Sequence, residues 1–225
     1  MTGKSIGHYE VGEKLGAGGM GVVYHARDTK LERDVALKFL PTEWSRDEDA
    51  KRRFMQEART ASGLDHQNIC TVYEIGETED GQLFIVMPLY RGQTLKYRLK
   101  GGQLSVSESV SIIRQLLEGL ATAHEAGIIH RDVKPANIML ADRGQVKLLD
   151  FGIAKLGAGI GLTQTGSTLG TAAYMSPEQT KGADVDKRAD LWSAGVLFYE
   201  MLTGRRPFEA DYEQAVIYGI LNSQP

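Results

Sequence analysis

"GAGGMGVVYHARD", residues 16–28, joins a run of glycines to a run of β-branched and aromatic residues, and the element just after the glycines decides which kind of loop this is. G-x-G-x-x-G occurs in unrelated nucleotide binders and in plain turns. In a dinucleotide-binding βαβ unit a helix begins directly after the glycines, so that its N-terminus meets the pyrophosphate. Here "VVYHARD" (22–28) alternates as a strand does, and so does "DVALKFL" (34–40). The glycines therefore sit in a hairpin between "YEVGEKL" (9–15) and "VVYHARD", where backbone N–H groups free of side chains can approach phosphates.

Working outward, Ser45 and Glu48 have capping-box spacing and open a helix through "DEDAKRRFMQEARTASGL" (47–64), with Phe54, Ala58 and Ala61 on one face. Glu57 lies close to that face and requires a cationic partner, either Arg53 one turn back or a lysine from a neighbouring strand. "TVYEIG" (71–76) and "QLFIVM" (82–87) add two strands around the turn "ETEDG". Five strands and one helix by Met87 make a small, mostly antiparallel domain. "PLYRGQ" (88–93) breaks the pattern and marks the connector, giving domains at 1–89 and 90–225.

The second domain is mainly helical. Ser105 and Glu108 repeat the capping spacing, and Val110, Ile113, Leu117 and Leu120 form an apolar stripe that ends near Gly127, a C′ residue. "NIML" and "QVKLL" read as short strands flanking the turn "ADRG". "ADLWSAGVLFYEMLTG" (189–204) is apolar on nearly every face, as a central helix is, and "DYEQAVIYGILN" (211–222) is one further helix. Residues 157–170 form a loop rich in Gly, Thr and Ser.

Composition removes several alternatives. The 225 residues are 42% hydrophobic and 24% charged, with a formal net charge of −3, which suits one or two folded domains and gives no basic footprint for nucleic acid. The single cysteine, Cys70, excludes an internal disulfide and reads as a small core-facing residue. The first residues lack the apolar run of a signal peptide, and no stretch reaches the ~20 apolar residues of a membrane span, so the reading is a cytoplasmic chain. "GKS" at 3–5 ends like a Walker A loop but has only two residues before it.

Three more motifs come after the glycines in fixed order. "VALK" ends in Lys38, "HRDVKPAN" (130–137) contains Asp132, Lys134 and Asn137, and "DFG" begins at Asp150, with "SPE" (176–178) where A-P-E is usual. With these, nearly the whole chain resembles a protein kinase, and within that family the bacterial branch of Hanks-type serine/threonine kinases. The resemblance implies an α+β, two-lobed fold: a small antiparallel sheet lobe with one helix, then a larger mainly helical lobe. It implies transfer of the γ-phosphate of ATP to Ser or Thr hydroxyls of proteins, with Mg²⁺, or Mn²⁺ in its place, as the metal.

The resemblance also implies a role for each residue. Lys38 contacts the α- and β-phosphates and is held by Glu57; Asn137 and Asp150 offer oxygens to the metal; Asp132 accepts the substrate proton, assisted by Lys134. His130 is structural. Gly16, Ala17, Gly18 and Gly21 roof the phosphates, and Leu15, Val23, Ala36 and Met139 sandwich adenine. Met87 is the gatekeeper, while Pro88 carbonyl and Tyr90 N–H meet the adenine edge. Thr171 bonds to the base and to Lys134 and shapes the substrate groove. Arg131 pairs with a phosphate on the activation loop, where Thr163 and Thr165 are the first autophosphorylation sites. The chain ends at "ILNSQP", where the resembling domains run on through two more helices, so the domain is expected to be incomplete; a membrane tether beyond it and dimerisation are left open. A pseudokinase that binds ATP without transfer is the alternative.

Overall fold

The protein is described from a computed structural model, which places residues 1–18, 21–42, 48–150 and 169–225; of Ala50, Arg53, Glu57, Ala61, Leu169 and Gly170 only the backbone is described. The described chain forms two compact units, one of residues 1–65 and 70–90, the other of 66–69, 91–150 and 169–225. The division falls after Tyr90, one residue beyond the sequence-based boundary, and residues 66–69 group with the second unit.

The first unit is a six-stranded antiparallel sheet. Its strands are β1 (Ser5–Ile6), β2 (Tyr9–Gly18), β3 (Gly21–Asp28), β4 (Arg33–Phe39), β5 (Glu74–Glu77) and β6 (Leu83–Pro88), in the order β1-β2-β3-β4-β6-β5. The five strands read from sequence are all present, and β1 is an addition too short to carry a pattern of its own. The pleat sorts side chains onto two faces. Val35, Leu37, Phe39, Phe84 and Val86 point one way, into a cluster with Tyr9, Val11 and Ala26. Ala36, Ile85 and Met87 point the other way and bury Phe54 and Ala58 of helix α1 (Glu48–Ser62). The start of that helix at Ser45 lies outside the described residues.

Gly18 and Gly21 form the last pair of the β2–β3 ladder, where the glycines predict a turn. Gly21 has φ +117°, and a Cβ there would lie 1.9 Å from the carbonyl oxygen of Phe39, so no other residue fits without moving β4.

In the second unit β7 (Gly92–Thr94), β8 (Ile138–Ala141) and β9 (Val146–Leu148) form an antiparallel sheet in chain order. The "PLYRGQ" connector therefore ends in a strand that its Gly and Pro conceal. The helices are α2 (Leu95–Leu99), α3 (Val106–Glu125), α4 (Leu169–Ala172), α5 (Pro177–Thr180), α6 (Arg188–Thr203) and α7 (Glu213–Asn222). Ser105 caps α3 by accepting the Glu108 N–H at 3.2 Å. At its far end Gly127 adopts φ +75°, with Gly127 N–H on His124 and Ile128 N–H on Ala123, a Schellman ending.

The buried face of α3 differs from the expected stripe. Ile112, Leu116, Gly119, Leu120 and Ala123 are buried, whereas Val110 and Leu117 are 46% and 38% exposed. Adjacent pairs such as Ile112–Ile113 and Leu116–Leu117 fit two helical stripes one residue apart, and periodicity alone does not choose between them. Helix α6 buries Ala189, Asp190, Ser193, Ala194, Val196, Leu197 and Met201 but leaves Leu191 and Tyr199 exposed. Its apolar character on all sides does not translate into burial on all sides.

Candidate active site

Within the first unit, register places the candidate nucleotide residues on one sheet face. Val23 pairs with Lys38 and Lys38 with Ile85; Ala36 pairs with Met87. Val23, Ala36, Lys38 and Met87 thus lie side by side, and Gly16 faces Val23 from β2. Lys38 is 6% exposed, a buried cation on the face that α1 covers. Glu57 is on α1, but its side chain lies outside the described residues, so the expected pairing with Lys38 is not described. A Cβ at Gly16 or Gly18 would meet nothing within 4 Å among the described residues, whose packing does not require glycine there. Leu15 is 47% exposed, Val23 is half-buried, and Pro88 ends β6. Tyr90 has its phenol pKa pushed up, by burial first and then by its neighbour Cys70.

Within the second unit, the loop from His130 to Asn137 is held from several sides. Asp190 of α6 is fully buried. Its Oδ2 accepts the His130 N–H at 2.8 Å and lies 2.7 Å from His124 Nε2; its Oδ1 accepts the Arg131 N–H at 2.7 Å. Arg131 adopts φ +63°, a left-handed conformation that costs a residue with a Cβ about 1–2 kcal/mol. Sequence reasoning misses Asp190. The signal it offers is a charged residue in an otherwise apolar helix, which must find partners once buried.

His130 is itself inaccessible. Its Nε2 bonds the Leu149 carbonyl at 3.0 Å, which makes Nε2 the protonated nitrogen, and Nδ1 accepts the Asp132 N–H at 3.2 Å. Burial holds its pKa below the usual histidine value, outweighing Asp190, Asp132 and Asp150. A neutral ring with both nitrogens engaged has no lone pair to offer a substrate, which agrees with a structural role.

Asp132 is 4% exposed. Its Oδ2 accepts Asn137 Nδ2 at 2.9 Å and pairs with Lys134 Nζ at 2.7 Å, and its backbone carbonyl also accepts Asn137 Nδ2 at 2.9 Å. Asn137 thereby directs its amide nitrogen to Asp132 and keeps Oδ1 as an oxygen acceptor. Leu149 N–H donates to the Asn137 carbonyl at 2.8 Å, so Asp150, at φ +51°, directly follows a backbone bond to Asn137. Carboxylate and amide oxygens are the donors a hard cation such as Mg²⁺ takes. Among the described residues no cluster of three or more His, Cys, Asp or Glu side chains could hold a metal.

Met139 lies on β8, opposite Thr94 and Lys147. Thr171 sits in the helical turn α4, its carbonyl accepting the Tyr174 N–H; of the two groups expected to meet its hydroxyl, Lys134 and Asp132 pair with each other. Thr163 and Thr165 lie outside the described residues.

The loop from His130 to Asn137, the glycine hairpin and the buried lysine on β4 are the parts of one known domain, and the protein kinase domain family matches residues 9–224. The chain belongs to the protein kinase family. It is 45% identical to a probable serine/threonine-protein kinase of Streptomyces coelicolor over 97% of its length and 33% of that protein's. The kinase PrkC of Bacillus subtilis is 42% identical, with 94% and 33% covered. PknL of Mycobacterium tuberculosis is 43% identical, with 96% and 54% covered. The crystal structure of the Mycobacterium tuberculosis PknI kinase domain superimposes with a TM-score of 0.77 at 31% identity, over 94% of this chain and 79% of that one. The chain thus spans about a third to a half of these curated relatives. No described helix is long and apolar enough to cross a membrane.

Proposed function

We propose that this chain transfers the γ-phosphate of ATP to Ser and Thr hydroxyls of protein substrates. The observation that carries the proposal is the carboxylate of Asp132, nearly buried yet held by Asn137 and by Lys134 on a single oxygen. Asp132 accepts the proton of the acceptor hydroxyl as that oxygen bonds to the γ-phosphorus, and the bond from phosphorus to the β–γ bridging oxygen breaks to release ADP. Lys134, ion-paired to the carboxylate, offsets the charge gathering on the transferred group. Lys38 and the glycine hairpin bind the nucleotide phosphates, and Val23, Ala36 and Met87 supply apolar surface for adenine. Asn137 and Asp150 would hold Mg²⁺, or Mn²⁺, which when bound neutralises phosphate charge.

Lys134 is what supports Ser and Thr over Tyr as acceptors, together with relatives that are named serine/threonine-protein kinases. Activation by phosphate added at Thr163 or Thr165 and met by Arg131 belongs to the same reading and rests on sequence alone. The test is transfer of labelled γ-phosphate to a protein substrate. Asp132→Asn should abolish transfer and leave Mg·ATP affinity almost unchanged. Transfer at more than about a tenth of the original rate would remove Asp132 as the base, and an unsubstituted chain that binds ATP without transferring phosphate would favour the pseudokinase.

A further inference from the structure

Gln179 is buried, 7% exposed, on the short helix α5. Two of its bonds are local: its N–H donates to Ser176 Oγ at 3.4 Å, and its Oε1 accepts the Ser176 N–H at 3.0 Å, a closed capping box. The third is not. Nε2 donates to the backbone carbonyl of Arg131 at 2.9 Å, across 48 residues of sequence. Because Oε1 must accept from an N–H, the amide cannot be turned over, and the donor end faces Arg131.

That carbonyl belongs to the peptide unit joining Arg131 to Asp132. The N–H of the same unit donates to His130 Nδ1 at 3.2 Å. A peptide unit is planar, with its C=O and N–H on opposite sides of the axis between successive Cα atoms. One bond on each side fixes its rotation about that axis. Gln179 makes the shorter of the two. On the other side of Arg131, Asp190 holds the N–H and so maintains the left-handed φ.

We propose that Gln179 is a positioning residue for Asp132, setting the plane of the peptide from which the carboxylate projects. The inference rests on the reading of Asp132 as the proton acceptor. Gln179 follows Thr171, which the resemblance assigns to the substrate groove, by eight residues, so the base takes its orientation from the stretch of chain next to that groove residue. Misplacement of a reacting group by 1 Å can lower a rate by about 10²-fold, and loss of one of two restraints should produce part of that.

The experiment compares Gln179→Glu with Ser176→Ala at pH 9.5, above the roughly 8–9 to which burial can raise a carboxyl. The Glu variant keeps an acceptor for the Ser176 N–H, and so keeps the helix cap, but turns an anionic oxygen toward the Arg131 carbonyl. Ser176→Ala removes the hydroxyl half of the cap and leaves the bond to Arg131. The expected result is that Gln179→Glu lowers kcat by about tenfold or more with KM for ATP within about twofold, while Ser176→Ala keeps kcat within about twofold despite a lower Tm. If the buried carboxylate prevents folding, Gln179→Met, of equal length and without charge, carries the same expectation. Equal kcat in the Gln179 and Ser176 variants overturns the proposal, as does a loss confined to KM. Asp132→Asn in the same assay separates the two failures: an inactive Asn variant beside a fully active Gln179 variant refutes this inference alone, whereas an active Asn variant refutes the assignment of the base.

Discussion

Replacing Asp190 by alanine tests whether α6 holds the loop from His130 to Asn137 in place. The buried carboxylate accepts two backbone N–H groups, from His130 and Arg131, and bonds His124. Without it both N–H groups lose their acceptor where water has little access. Each unsatisfied group costs about 1–3 kcal/mol, so the two together cost about 2–6 kcal/mol, against a whole margin of about 5–15 kcal/mol. His124 is 10% exposed and can turn to water, so it adds little. In a chain of this size each kcal/mol moves Tm by about 2–4 °C, and the fall should be at least about 4 °C. The left-handed strain at Arg131 also loses its restraint, so kcat should fall further than the folded fraction does. Asp190→Asn retains one acceptor and should lose about half as much stability. Melts followed by circular dichroism, with transfer assayed well below Tm, read both effects. A Tm for the alanine variant within about 2 °C of the original, with kcat unchanged, would show that the loop does not depend on Asp190.

For Lys38→Met, transfer should be lost while the fold remains, since the methionine fills the same place on β4. A Tm lowered by the equivalent of about 3–5 kcal/mol would instead mark a rigid buried ion pair. His130 gives a prediction in pH. Its folded pKa is lowered, so the unfolded chain binds the proton more readily; the contribution is complete above the unfolded value of about 6.5 and is lost as pH falls toward the folded value, at up to about 1.4 kcal/mol per pH unit. Denaturant titrations at pH 7.5 and 5.5 should show a smaller difference for His130→Phe than for the unsubstituted protein, and equal differences would refute the assignment of a buried neutral ring.

How far the fold is legible in the sequence depends on how local its determinants are. The hairpin at Gly16–Gly21, the Ser105 cap and the Gly127 ending each follow from a few adjacent residues whose backbone needs are steric. The face of α3 does not, because neighbouring apolar pairs satisfy either stripe until α6 and the loop at 66–69 are in place. That loop shows the same limit. Asn68 donates to Gln115 and to the Val146 carbonyl, 47 and 78 residues away, and its own carbonyl accepts the Leu148 N–H. Nothing local in "HQNIC" announces partners so distant, and the residues therefore read as part of the first domain.

The candidate site divides along the same line. Side chains proposed to meet substrate must be of particular types at particular spacings, so Asp132, Lys134, Asn137 and Asp150 stand out in sequence as a motif. The residues that orient them are chosen by what they touch. Asp190 reaches the loop through the backbone N–H groups of His130 and Arg131, and Gln179 through the Arg131 carbonyl, and backbone groups carry no sequence signature. Yet these are the bonds that keep Arg131 left-handed and the next peptide in one plane, which decides where the Asp132 carboxylate points. A chain with every motif residue intact but Asp190 or Gln179 replaced would still read as a kinase. The geometry predicts that it would transfer phosphate slowly, so a reading of activity from motifs alone fails first at the residues that hold backbone.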